Sequence, residues 1–198
     1  MGIFRVISGF FNHWVIRTIS RLLMVFFLGI MGLHVFHTWE TREDAGDYVE
    51  RVLVIQSEWY FKALNPIAGD VLGFSLPAFP VAYVSGPAVE RAGADIQGVR
   101  VHEAKHLEQR DEMGIQIFLR TAEWKLEGMA EYARGAPTVD VCNPDPNARK
   151  VRLAYREFFV VVSYLIEGQG LTEDEVYLYP DFPLAEAEAW LEATRCAE

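Results

Sequence analysis

The sequence predicts an α+β fold, mainly helical with a small sheet, preceded by one N-terminal transmembrane helix. Three observations carry this. Residues 22–39, LLMVFFLGIMGLHVFHTW, form a run without a formal charge. Beyond it, Val151, Ala154, Tyr155, Phe158, Phe159, Val162, Leu165 and Ile166 recur at the three-and-four spacing of a core helix. Only residues 79–85, FPVAYVS, read well as a strand.

The uncharged run covers about 27 Å at about 1.5 Å per residue, close to a hydrocarbon core. Arg17 and Arg21 precede it; Glu40, Glu43, Asp44 and Asp47 follow it. This charge bias puts the N-terminus in the cytoplasm and residues 40–198 in the periplasm or outside the cell. The chain then divides into a cytoplasmic or interfacial segment (1–21), a single-pass signal anchor (22–39) and a domain (40–198). Residues 3–20 mix aromatics with arginines and suit a position along the membrane surface. A cleaved signal peptide is the rival reading, but HVFHTWE offers no small-x-small cleavage site. A buried core helix is disfavoured by the charge asymmetry.

The formal net charge is −10, and residues 1–39 carry +3 from Arg5, Arg17 and Arg21, which leaves −13 on residues 40–198. So acidic a domain repels phosphate backbones, which argues against nucleic acid as a partner. The same charge mildly favours basic substrates, although it also serves solubility. Two cysteines, Cys142 and Cys196, either form a disulfide in an exported domain or remain free thiols. They show no CxxC spacing and are poor metal-ligand candidates.

Element by element, Thr41-Arg42-Glu43-Asp44 resembles a capping box opening a helix from about 42 to 64, which Asn65-Pro66 stops. Residues 66–78 are rich in Gly and Pro and read as loop. Asp95 caps a helix that ends near Gly114; a second runs from about 120 to 134 and Gly135 ends it. Residues 136–147 are a Pro-rich loop, followed by the core helix over 148–167. Thr172 with Glu175 is another capping box, and Pro183 opens a last helix to about Arg195.

The chemistry lies in His102-Glu103-Ala104-Lys105-His106. On a helix the two histidines are one turn apart on one face and can bind one zinc ion. Glu103 is placed to take a proton from water and pass it to a leaving amine. A catalytic zinc needs a third protein ligand. The metzincin pattern, with Gly and His three and six residues after the second histidine, fails, because Gln109 and Glu112 stand there.

The following helix reads Trp124-Lys125-Leu126-Glu127-Gly128-Met129-Ala130-Glu131-Tyr132. This resembles the second motif of the gluzincin metallopeptidases, the group of thermolysin and the one-zinc aminopeptidases, in which a Glu before a Gly completes the zinc site. The resemblance covers about residues 101–134 and implies a minimal zincin-like catalytic domain. It also implies His102, His106 and Glu127 as zinc ligands, Glu103 as the catalytic base and Glu131 as the acceptor that orients His102. Lys105 departs from the family pattern, but points away from the zinc face. Tyr132 and Tyr155 are candidate oxyanion donors; each has a plain packing role as the alternative. The strand over 79–85 either pairs with an extended peptide substrate or is an ordinary sheet strand. Trp124 is read as core between the motif helices. His13, His34 and His37 are read as interfacial, not as ligands.

The expected function is therefore zinc-dependent hydrolysis of a peptide or protein substrate by a membrane-anchored enzyme. Two rivals are a zinc-binding but non-catalytic interaction module and an anchored scaffold without metal.

Overall fold

The computed structural model describes residues 3–41, 47–66 and 71–197. The side chains of residues 3–14, His13 among them, and residues 42–44 of the expected capping box lie outside the described residues.

Helix α1 (Ile3–Thr41) holds a stretch, Thr18–Trp39, that is long and apolar enough to cross a membrane. Its two halves differ. Residues 22–29 are exposed throughout, whereas from Ile30 onward one face turns onto the domain. Met31, Leu33, His34 and His37 lie on that face, and His34 is fully buried. The His34 ring lies 3.2 Å by Nε2 from the Leu64 carbonyl and 2.8 Å by Nδ1 from the Tyr83 hydroxyl. A carbonyl can only accept, so in the neutral ring Nε2–H donates to it and Nδ1 accepts from the tyrosine. His37 Nε2 lies 2.6 Å from the Tyr60 hydroxyl. Both histidines thus join α1 to the domain.

The helix expected over 42–64 is also corrected. Among the described residues of that range a short 3-10 turn (Tyr48–Arg51) leads into strand β1 (Val52–Ile55), and only then comes α2 (Glu58–Leu64). The run VLVI is β-branched and short, as a buried strand prefers. Ser57, whose Oγ accepts from the Tyr60 N–H at 3.3 Å, starts α2 afresh.

Strand β2 (Gly73–Ser75) lies inside the stretch read as loop, and β3 (Ala82–Ser85) inside the expected strand. The order is β1-β3-β2, with β1 parallel and β2 antiparallel to β3. Strand β3 is thus central, and the exposed edge beside the site belongs to β2. Period-two alternation then sorts the side chains. Ala82 and Val84 face Val99, Ala104 and Leu107 of α4 (Ile96–Met113). Val81 and Tyr83 face Phe61 and Leu64 of α2 and Met31 and Leu33 of α1.

Beyond α4 the fold is helical. α3 (Gly86–Ala92) and the one-turn α5 (Ile115–Phe118) flank it. α6 (Glu123–Arg134) packs between α4 and α7 (Lys150–Ser163). At Gly128 an added Cβ would come within 2.7 Å of Val162 Cγ2 and 2.8 Å of the Phe158 carbonyl, so only glycine lets α6 and α7 approach this closely. A π-helical turn (Tyr164–Gly168) ends α7. α8 (Glu173–Leu178), with its Thr172–Glu175 capping box, and α9 (Leu184–Thr194) close a second core around Phe159, Val161, Leu165 and Leu191. Cys142 and Cys196 are joined in a disulfide.

The docking of α1 makes a direct prediction. His34→Ala leaves the Tyr83 hydroxyl and the Leu64 carbonyl buried without a partner, at a cost of about 1–3 kcal/mol. Thermal unfolding of the full chain in detergent should show a midpoint lowered by about 3–10 °C. A chain lacking residues 1–39 should lose more. An unchanged midpoint in both would show that α1 does not support the domain.

Candidate metal centre

Asp95 positions the first half of the site. Its carboxylate accepts from the N–H groups of Gln97 (3.2 Å) and Gly98 (2.7 Å) and fixes where α4 begins. Two turns on, His102 and His106 project from one face, with ring centroids 4.8 Å apart and their Nε2 atoms 3.2 Å apart. From α6, Glu127 brings Oε2 to 3.2 Å from His102 Nε2 and 3.5 Å from His106 Nε2. One ligand atom from each of the three residues lies within 4.8 Å of the others, so the group can hold a metal ion.

The surroundings decide which way the rings present themselves. Gln109, fully buried, donates by Nε2 to the Leu126 carbonyl (3.0 Å) and lies 2.9 Å from the Tyr177 hydroxyl. Its Oε1 therefore faces His106 Nδ1 at 2.9 Å as an acceptor. Nδ1 carries the proton, and Nε2 turns its lone pair toward Glu127. On the other ring, Glu131 Oε1 lies 3.2 Å from His102 Nδ1, an ion-pair contact on the side away from Glu127. Two lone pairs and a carboxylate thus converge on one point, an arrangement that needs a cation there or protons on the rings. Glu127 Oε2 is buried without accepting a hydrogen bond, as is Glu103 Oε2. The donor set and these orphaned oxygens fit a metal ion.

Protonation reports the same field. Burial works to lower the pKa of both rings, but the carboxylates beside them outweigh it. His102 is raised to about 10 by Glu127 and Glu131, and His106 is raised by Glu127. Burial pushes up the Glu127 carboxyl, and the two imidazoles more than reverse this and hold it well below the usual range. Glu103 is raised, chiefly by burial, against the pull of His102 and His106.

Glu103 is held from the sheet side. A Cβ on Gly73 of β2 would come within 2.5 Å of Glu103 Oε1, so the strand can pass this closely only with glycine. Tyr155 of α7 stacks beside His102, with ring centroids 6.1 Å apart at 17°. Its phenol is raised by burial first and by Glu127 second. Tyr155 therefore belongs to the site. Tyr132 does not. It lies five residues past Glu127, about 140° around the helix, and packs on the C-terminal core beside Glu167. Trp124 also leaves the expected place: it packs on Phe182, 5.5 Å between ring centroids, away from the space between α4 and α6. Lys105 points off the metal face and meets Glu108 at 2.7 Å and Glu173 at 2.5 Å.

A cavity of about 850 Å³ opens over these residues, walled by β2, α2, α3, α6 and α7. Four glutamates and four arginines line it, and two of those arginines face glutamates: Arg91 with Glu58 (3.2 Å) and Arg134 with Glu131 (3.6 Å). The acidity of the domain does not extend into its cavity, and the expected preference for basic substrates gains nothing from the walls. Gln109, Gly73 and Tyr177 are site residues that the sequence reading missed. Gln109 alone carried a signal, one turn past His106 on the same face.

Compared with known proteins, the chain matches no family model, no curated protein and no solved structure.

Gln109→Leu removes the acceptor that fixes the His106 ring, so metal affinity should fall about 10–100-fold in competition with a chelator. Because the His102 ring holds a proton at neutral pH without a metal, loading should release it. With His102 at about 10, affinity should rise with pH from 6 through 9. Calorimetry at pH 7 in two buffers of different ionisation heat should give at least one proton released per metal. No release would contradict the protonated starting state.

Proposed function

We propose that this chain is a membrane-anchored zinc metallopeptidase of the gluzincin type. α1 spans the membrane from a cytoplasmic N-terminus, and residues 40–198 lie in the periplasm or outside the cell. The observation that carries the reading is the convergence of His102, His106 and Glu127 beside a buried, separately held Glu103. Two imidazoles and one carboxylate are a donor set of catalytic zinc sites, which leave one position open. Zinc bound there would polarise a carbonyl and lower the pKa of a water.

The chain's own residues have the remaining roles. Glu103, whose carboxyl burial raises, takes a proton from the attacking water and delivers it to the leaving amine. Tyr155, which keeps its proton, donates a hydrogen bond to the oxygen on which negative charge develops. Glu131 and Gln109 hold the two imidazoles in the orientation that leaves Nε2 free. Among the described residues strand β2 pairs only with β3, and it lines the cavity, which leaves an edge for an extended peptide to pair with.

The test uses the full chain in detergent, loaded with zinc, against a mixed peptide library. Glu103→Gln should keep one zinc per chain and lose about 10²–10⁴-fold in kcat. Gly73→Ala should also keep the metal yet lose activity, because its methyl group displaces Glu103. If the zinc-loaded wild type cuts no peptide, the site belongs to a zinc-binding interaction module instead.

A further inference from the structure

The length of free helix in α1 places the domain relative to the bilayer, provided that α1 spans as just proposed. Residues 22–29 are exposed throughout and rise only about 12 Å. A hydrocarbon core is about 30 Å thick, so this stretch covers less than half of it. Sliding the helix to use residues before 22 would draw Arg21 and Arg17 toward the bilayer centre, at about 2.5–3.5 kcal/mol each. The rest of the span must come from residues 30–39, about 15 Å of helix. There the helix packs one face on the domain, while Val35 and Phe36 point outward, each 59% exposed. Whatever packs on residues 30–39 therefore sits at the outer edge of the membrane.

Two further observations agree. Trp39 at the end of α1 and Trp59 on α2, which packs against α1, are 73% and 77% exposed. Bare tryptophans are costly in water and favoured at the headgroup level. The cavity also lies close to the anchor. Glu58, the residue before Trp59, lines it, and so does Phe74 of β2. The Phe74 ring lies 5.1 Å from that of Tyr83, whose hydroxyl bonds His34 of α1. Two side chains separate the cavity from the membrane helix.

We propose that the domain is seated in the interfacial layer of the bilayer, with the α2–β2 rim of its cavity at the lipid headgroups. Its substrate is then a polypeptide segment held close to the membrane surface, the juxtamembrane stretch of another membrane protein. The substrate half of this rests on the peptidase reading; the seating does not.

Both halves are measurable on the full chain in phosphatidylcholine vesicles. The two native cysteines are paired, so an introduced thiol can be labelled alone. A polarity-sensitive fluorophore at Trp59→Cys should be quenched at least twofold by nitroxide lipids. The same label at Glu192→Cys, on α9 and separated from α1 by the sheet, α4, α6 and α7, should respond only to aqueous iodide. If both labels behave as aqueous, the seating is overturned. For the substrate, zinc-loaded Glu103→Gln is titrated with Ala-Ala-Phe-Leu-Ala carrying an N-terminal palmitoyl chain on a spacer of three or fifteen glycine and serine residues. Three residues reach about 10 Å at most. Short-spacer binding within about threefold of long-spacer binding supports a site at the surface. A tenfold loss with the short spacer, or no binding of either, overturns the substrate class. If wild type binds the peptide without cutting it, the peptidase reading fails and the seating result stands.

Discussion

Six polar or charged side chains of one helix are buried: His102, Glu103, Lys105, His106, Gln109 and Arg110 of α4. Burying such groups costs several kcal/mol apiece unless each finds a partner. The elements around α4 supply partners for all of them but Glu103, whose Oε2 has none. β2 comes close over Glu103, and α6 brings Glu127 and Glu131 to the imidazoles. α8 brings Glu173 to Lys105 and Tyr177 to Gln109, and the Phe79 carbonyl accepts from Arg110. A helix with apolar residues at these positions would be easier to bury. The helix is polar because the site is in it, and the rest of the domain compensates.

This explains the division of labour between the layers. The sheet covers one side of α4 with Ala82 and Val84 and needs no chemistry there. The helical layer covers the other side and carries the carboxylates. Gly128 sets its spacing: a side chain there would push α6 off α7 and move Glu127, the residue before it, with the backbone. The motif Glu127-Gly128 thus joins a ligand to the contact that fixes its depth.

Those regions of the fold governed by neighbours in sequence could be read from the sequence. The Asp95 cap, the stops at Gly114 and Gly135 and the Thr172–Glu175 box are local signals, and each lies where its chemistry put it. The core stripe of α7 holds only in part: Phe159, Val162 and Leu165 are buried, but Val151 is exposed, Tyr155 lines the cavity, and Val160 and Val161, outside the stripe, are fully buried. His102 and His106 were legible because helical spacing puts both on one face, whereas Glu127 and Glu131 were legible only through the resemblance that their motif carries. What depended on distant partners was not. A short apolar run such as VLVI fits a buried strand or a helix equally until its neighbour is known, and that neighbour is β3, about thirty residues on. The three-residue β2 is held by pairing to β3, not by its own propensity. Nor could the packing of His34 on the domain be read, because the partners that bury it, Tyr83 and Leu64, come from other elements. Tyr132 against Tyr155 was the one choice that periodicity could have made from the position of Glu127.

The Cys142–Cys196 bridge, at a sequence separation of 54, closes a covalent ring that contains α7, α8 and α9. Closing such a loop removes freedom from the unfolded chain worth about 4 kcal/mol. Inside the ring are Tyr155 beside His102, Tyr177 under Gln109, and Glu173 on Lys105. The bond is remote from the metal residues in sequence, yet its oxidation tightens every support that reaches them from the C-terminal side. In a reducing compartment the same chain would have a looser second wall. Maturation of the site is thereby tied to the redox conditions in which the domain finishes folding.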